Sequence, residues 1–552
     1  MDLILLYLLA VPLIGALLGA FLPARVAGRG WGVMVSLATT LVAIMAALQF
    51  NWGSGVQQFT FAGPRLALPQ YSFELTFKLG VDSISMLMVL LTVLVHPIAM
   101  VASMESVSFR AREHYVWMNL LLAGTIGVFV ARDLLLFYAF FEFTLVPVFF
   151  LLGIWGGPER RTAAAKQFIY TFSGSVFMLT AMIYLGYRAG TFDMEQVISF
   201  AQHQMSPDER LWVFIGLLCG LGVKTPLWPL HTWLPLAHTE APSGGQVDLA
   251  SLVLKLGAYG LLTIAIPIGL VDVYGSLFYR EQALVVLGVL CVVGIIYCAL
   301  VAWAQQDAKK LVAYSSVSHL GFCVLGMLAL NDIGMQGSVL YMIVHGINSG
   351  AMFLIIGMIY SRYRTRDITE LGGLGKVMPR LSFFLVLFVM ASVGLPLTSG
   401  FVAEFLTILG AFTSTELPHA KVFGIVSAVG IVLGAVYLLK LTAALLYGPL
   451  KFPQISDQSE PQHADRTPPR AHGDLSGREV FVLTPLAILT IALGVYPTPL
   501  LNTIAAPLRA MRQPVAETAD VRTTKPEARS EPEIARVDFF DPAGVSSTGR
   551  AR

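Results

Sequence analysis

Stretches of apolar sequence long enough to cross a bilayer recur along the whole chain, and they constrain it more than anything else. A spanning helix needs about 20 mostly apolar residues. Such stretches fall near 3–23, 31–50, 81–103, 115–131, 133–154, 168–187, 211–230, 247–268, 283–303, 311–330, 336–360, 381–412, 420–447 and 480–501. Lipid offers no partners to backbone N–H and C=O groups, so spans of this kind must be helical. The expected fold is an all-α integral membrane protein with about 14 transmembrane helices. Composition agrees: only 13% of the 552 residues are charged, where soluble proteins carry about 25%. That scarcity excludes a soluble multidomain protein, a disordered chain and a fibrous one.

Cys219, Cys291, Cys298 and Cys323 all lie in apolar runs, and none forms a CxxC. They read as small packing residues rather than a disulfide or metal framework. No Gly-rich nucleotide loop, CxxCH or HExxH occurs, so any associated redox chemistry is expected on another chain. The first apolar stretch lacks a basic leader and a cleavage site, and is expected to be a retained helix. Residues 71–80 alternate apolar and polar, as a short surface strand does.

The organisation expected is spans 1–3 with a surface hairpin over 1–114, then a five-helix unit over 115–268 and another over 283–447. A polar loop over 448–479, a last span over 480–506 and a polar tail over 507–552 follow. Loops after odd-numbered spans hold 18 Lys and Arg, against 7 in the loops after even-numbered spans. Basic loops stay in the cytoplasm, so both termini are expected on the other side.

Three basic residues remain inside spans: Lys224, Lys255 and Lys440. Glu142 and Glu404 are the deep acids, whereas Asp82, Asp133 and Asp248 are expected near span ends, within reach of headgroups or water. A charge in hydrocarbon costs at least about 2.5–3.5 kcal/mol and typically marks an ion or proton path. The plainer alternative for each is a structural ion pair or a snorkelling side chain. Lys440 is near enough to its helix end to snorkel. Glu142 sits in an aromatic run with no charged neighbour in sequence. Lys224 precedes Pro226 and Pro229, and Glu404 follows the Gly394-Leu-Pro-Leu-Thr-Ser-Gly break. Broken membrane helices line cavities and binding sites. Lys255 is centred in its span. His319 and His345 lie in polar-flanked spans and suit either a relay or a hydrogen-bonded core. His231 and His238 read as rings that pin the broken backbone. Burial disfavours the charged form of acid and amine alike. A Glu–Lys pair is therefore switchable: together both stay charged, and apart each can take or release a proton.

The chain also resembles itself. Ser173-Gly174, Phe177 and Met182-Ile-Tyr184 recur 176 residues later, while Leu134 and Glu142 fall on Leu311 and His319 at an offset of 177. Five helices per copy is an odd number, so the two repeats should be inverted in the membrane, each with a broken helix. Inverted repeats of this kind characterise secondary transporters. One reading is two half-channels joined through Lys255; chance likeness between apolar helices is the alternative.

The segments Phe137–Pro147, Val223–Pro242, 252–260 and Gly394–Phe405 resemble the antiporter-like subunit family of respiratory complex I and of multisubunit cation/proton antiporters. Within that family the chain is most similar to the M-type subunits, counterparts of mitochondrial subunit 4. Glu404 is the discriminator, since L, N and antiporter D types usually have Lys there. Leu236 stands where many bacterial members have Asp, and Leu397 where Gly is common. The resemblance implies a proton path through Glu142, Lys224, Lys255, His319, His345 and Glu404. It implies no cofactor or metal in this chain, with NADH, FMN, iron–sulfur clusters and quinone on partner subunits. The implied partners are L- and N-type membrane subunits and a peripheral electron-transfer arm. A Na⁺/H⁺ antiporter or membrane-bound hydrogenase subunit is the alternative, and a purely structural membrane scaffold is a third.

Overall fold

The computed structural model describes residues 3–23, 28–68, 73–453 and 473–513. Most of the polar loop, 454–472, and the tail after 513 lie outside the described residues.

Eighteen helices run through the described chain. α1 (Ile4–Phe21) and α2 (Arg29–Gln49) are followed by an antiparallel hairpin of β1 (Gln58–Leu68) and β2 (Phe73–Val81). Next come α3 (Ser83–Ser106), α4 (Ala111–Val130), α5 (Leu134–Trp155) and α6 (Arg160–Ala189). After the surface helix α7 (Met194–Gln204) come α8 (Pro207–Lys224), α9 (Leu234–Glu240) and α10 (Ser243–Gly269). The second half runs α11 (Arg280–Ala304), α12 (Ala308–Leu328), α13 (Asp332–Tyr363), α14 (Pro379–Val393), α15 (Ser399–Thr413) and α16 (Ala420–Leu446). α17 (Gly477–Val495) and α18 (Thr498–Arg512) close the described chain.

Among the described helices, eleven are long and apolar enough to cross a membrane. α4 and the two broken helices, α8 with α9 and α14 with α15, complete the set of crossing elements at the fourteen expected positions. The sequence reading missed two elements on the surface, α7 and α18. Both are short helices with one apolar face, and α18 anchors by Arg512 to Asp332. The run 71–80 forms a strand from Phe73 onward, and β1 is its partner in the expected surface hairpin.

Contacts between loops define two faces. On the hairpin face Lys78 pairs with Asp193 and Arg280 with Glu416 at 2.7 Å. On the opposite face Gly157 N donates to Glu240 O at 2.9 Å, Lys309 Nζ to Ala241 O at 3.2 Å, and Arg362 pairs with Glu479 at 2.7 Å. The start of α1 and the whole of α18 lie on the hairpin side: α1 packs on both strands, and Gly55 touches Ala506.

The internal repeat is visible in backbone bonds. Leu134 N donates to Phe192 O and Met194 N to Arg132 O, while Ala308 N donates to Arg366 O and Ile368 N to Gln306 O. Asp133 caps α5 and bridges to Asp193; Asp307 caps α12 and bridges to Asp367. Each equivalence is 174 residues, two or three fewer than the sequence similarity suggested. The first bridge lies on the hairpin face and the second on the opposite face, so the two copies are inverted. α8 enters from the hairpin face and α9 continues to the other. α14 enters from that other face and α15 continues to the hairpin face.

The core is built from α10 and α13, whose central stretches are fully buried, and α12, whose central stretch is nearly so. Their glycines allow the close contacts. A Cβ at Gly257 would lie 2.5 Å from Thr225 Oγ1, and one at Gly410 2.2 Å from the Cα of Gly334.

Candidate functional site

The helices that carry Glu142, Lys224, Lys255 and Glu404 are interrupted or distorted near those residues. α5 kinks at Thr144, three residues before Pro147, which has no N–H to bond the Phe143 carbonyl. Thr144 Oγ1 turns back to donate to Phe141 O at 2.7 Å. α8 stops at Lys224 because Pro226 and Pro229 cannot continue it. Its last carbonyls are recaptured: Thr225 Oγ1 donates to Leu221 O at 2.7 Å and Trp233 Nε1 to Val223 O at 3.0 Å. α14 ends in a Schellman motif, with Gly394 at φ +82° and Leu395 N donating to Met390 O at 2.9 Å. α10 contains two π-helical stretches, Leu249–Val253 and Leu261–Ala265, on either side of Lys255. Such bulges are frequent at functional sites.

The first cluster joins Glu142 and Lys224. Lys224 Nζ donates to Thr144 Oγ1 at 2.9 Å and Phe141 O at 3.3 Å, and lies 4.3 Å from the Phe141 ring centre. Thr144, at the interruption of α5, thus supplies an acceptor for a fully buried ammonium. Glu142 faces Lys224 and Ser175 electrostatically, and its Oε1 has no hydrogen-bond partner.

The second cluster joins Lys255 to Glu404. Lys255, with 0% exposure, holds the carbonyl of Ala250 at 2.6 Å and lies 2.7 Å from His345 Nδ1. The His345 and His319 rings are 6.0 Å apart. His319 Nδ1 lies 2.6 Å from the Tyr341 hydroxyl, which donates to Glu404 Oε1 at 2.8 Å. His319 Nδ1 also approaches Glu404 Oε1 directly, at 3.4 Å. The Tyr437 hydroxyl lies 3.4 Å from His319 Nε2. Lys255, His345, His319 and Glu404 are therefore brought together in one chain of groups. Glu142 and Lys224 form a neighbouring cluster, joined to it by the packing of Gly257 of α10 on Thr225.

Lys440 belongs to neither cluster. It caps the end of α11, donating to Trp303 O at 2.6 Å and Gln305 O at 3.4 Å. His231 lies beside the Tyr297 and Tyr314 rings. His238 packs on Phe353, has both ring nitrogens unpartnered, and stands within electrostatic reach of Lys255 and Lys309.

Three acids differ from expectation. Asp82, Asp133 and Asp248 do not reach solvent: all three are buried. Asp82 caps α3 and pairs with Arg132 at 3.5 Å. Asp248 pairs with His96 at 2.7 Å. Tyr341 and Tyr437 were also missed, being neutral and aromatic among many aromatics. One signal was available: Tyr341 precedes His345 by four residues, one helical turn on the same face.

At Leu397 the backbone takes φ +72°, a region that favours glycine.

The family described as "NADH:quinone oxidoreductase/Mrp antiporter, TM" matches residues 131–437. The chain belongs to this family. It is 39% identical to NADH-quinone oxidoreductase subunit M of Rhodobacter capsulatus, over 84% of this chain and 87% of that protein. It is 36% identical to NADH-ubiquinone oxidoreductase chain 4 of Chondrus crispus, over 89% and 94% of the two chains. A chain in the structure "Respiratory complex I from Thermus thermophilus with bound NADH" superposes with a TM-score of 0.77 at 26% identity, covering 92% of this chain and 100% of that one. The family match takes in both clusters and both broken helices.

Proposed function

We propose that this chain is a proton-translocating membrane-arm subunit of an NADH:quinone oxidoreductase. Protons move along Glu142, Lys224, Lys255, His345, His319 and Glu404, with Tyr341 linking the last two. The observation that carries the reading is the approach of Lys255 Nζ to His345 Nδ1 at 2.7 Å inside the fully buried core. At that separation the two groups share one proton. It resides on the amine or on the imidazole, because two adjacent buried cations repel. A chain of such groups responds to the charge next to it, so an electrostatic change arriving from a neighbouring subunit can drive a proton along it.

This chain supplies no redox group in that reading. NADH, FMN, the iron–sulfur clusters and quinone are held by partner subunits, and L- and N-type membrane subunits flank it. The opposite face, rich in Arg and Lys, is the cytoplasmic one by the positive-inside rule. The hairpin face, with both described ends of the chain, is then non-cytoplasmic, in a bacterial inner membrane.

Gentle purification of the tagged subunit, followed by identification of co-migrating chains, tests the assembly. Flavin and iron–sulfur subunits should be recovered; recovery of small hydrophobic antiporter subunits alone contradicts the reading. Glu142→Gln tests the path. In a fully assembled complex it should abolish most quinone-linked proton uptake, and undiminished pumping would refute the assignment.

A further inference from the structure

One buried pair of titratable groups lies outside the row. His96 on α3 and Asp248 on α10 are both 0% exposed, and Nδ1 lies 2.7 Å from Oδ2. The remaining polar atoms, His96 Nε2 and Asp248 Oδ1, have no hydrogen-bond partner. Close packing seals the interface on the side of the opposite face, where a Cβ on Gly244 would lie 1.8 Å from Ser103 Oγ.

Stability does not account for such a pair. A buried ion pair gains little over apolar residues of similar volume, and each orphaned polar atom adds a desolvation penalty. Position suggests another role. Asp248 is on the same helix as Lys255, seven residues away, or about 10 Å along the axis. The π-helical stretch between them contains Ala250, whose carbonyl holds the Lys255 ammonium. It also contains Ser251, whose hydroxyl donates at 2.7 Å to the carbonyl of Gly346, next to His345. The His96–Asp248 pair thus shares a rigid, fully buried segment with the central lysine.

We propose that His96–Asp248 is a further proton-holding pair, and that its charge sets the protonation of Lys255. This rests on the reading of the row as a proton path. With neutral imidazole and carboxylate, the pair carries a charge of −1 and favours the ammonium form of Lys255. A proton taken at His96 Nε2 forms one N–H bond and brings the pair to zero, which releases the Lys255 proton toward His345. Loss of that proton from Nε2 restores the first state. His96 and Asp248 are positioning groups for the charge on Lys255, acting through the field across the segment 248–255.

The test uses the complete complex in native membranes, normalised to NADH oxidation by an artificial electron acceptor. Asp248→Asn and the double variant His96→Leu/Asp248→Val both remove the negative charge; the double variant leaves no orphaned polar atom. Both should lower quinone-linked proton uptake at least threefold, and Asp248→Glu, which keeps the charge, should restore at least half. If the assembled double variant keeps the unaltered rate and proton-to-electron ratio, the pair is structural and the proposal fails. His96→Gln provides the same decision if the double variant does not assemble, since it leaves the carboxylate unable to be neutralised by the ring. Glu142→Gln is measured in parallel. Unimpaired pumping there overturns the underlying reading, whereas a defect there together with a normal double variant overturns only this inference.

Discussion

Tyr341 and Glu404 are joined by a 2.8 Å hydrogen bond from the tyrosine hydroxyl to Oε1, across the interface between α13 and α15. The same hydroxyl lies 2.6 Å from His319 Nδ1. It contacts both the histidine and the acid that follow Lys255 and His345. Tyr341→Phe removes that oxygen and preserves the ring. Quinone-linked turnover and proton uptake should fall severalfold together, with normal assembly on a native gel. Unchanged turnover would mean that the 3.4 Å approach of His319 to Glu404 is sufficient by itself.

Lys224 has a side-chain acceptor at the interruption of α5. Thr144→Val keeps the side-chain shape and deletes the Oγ1 that receives the ammonium at 2.9 Å. Losing a hydrogen bond to a charged group costs about 1.5–3 kcal/mol. The variant should assemble, and its proton uptake should drop by about tenfold. Equal activity in Thr144→Val and the parent would show that the Phe141 carbonyl alone holds Lys224.

Gly394 lies at φ +82°, and a Cβ there would stand 2.6 Å from Glu404 Oε2. Gly394→Ala therefore strains the break between α14 and α15 and pushes the carboxylate away from His319 and Tyr341. Turnover should be lost to a greater extent than assembly, which distinguishes it from a variant that simply unfolds. Leu397 already sits at φ +72°, so Leu397→Gly should be tolerated in both assays and Leu397→Val should not.

How far the amino-acid sequence disclosed these contacts depends on the kind of residue. The fourteen crossing positions follow from apolar runs, and Glu142, Lys224, Lys255 and Glu404 stand out because a charge in hydrocarbon is conspicuous. Depth is harder to read than presence. Asp248 lies only five residues from the start of α10, yet α3 and α13 cover it completely. Nothing local in the sequence records that cover, and its partner His96 is 152 residues distant. Tyr341 and Tyr437 carry no charge to mark them among the apolar helices. The repeat is visible as a sequence offset, but its register is marked by the backbone bridges Asp133–Asp193 and Asp307–Asp367. Those aspartates read as ordinary loop residues until the backbone pairing is seen. In sequence α18 looks partly like tail, because its arginines and prolines hide a single apolar face.

Arg362 and Glu479 tie α13 to α17 by two hydrogen bonds, at 2.9 and 2.7 Å, and both side chains are buried. Breaking one side of a buried pair costs about 3–5 kcal/mol. Arg362→Gln should lower the amount of assembled complex, while the molecules that do assemble keep their turnover per complex. A normal yield would mean that the junction holds without the bonds Arg362 makes to Glu479 and to the carbonyls of Gly473 and Asp474.

The central claim is that protons cross through the buried row, and Lys255 is its middle. The most direct measurement is the rate of proton uptake and the proton-to-electron ratio in sealed inside-out membrane vesicles carrying Lys255→Met, with assembly verified by artificial-acceptor activity. The result expected is at least a tenfold fall in quinone-linked proton uptake in a fully assembled complex. An assembled Lys255→Met complex that pumps at the parent rate and ratio would contradict the account.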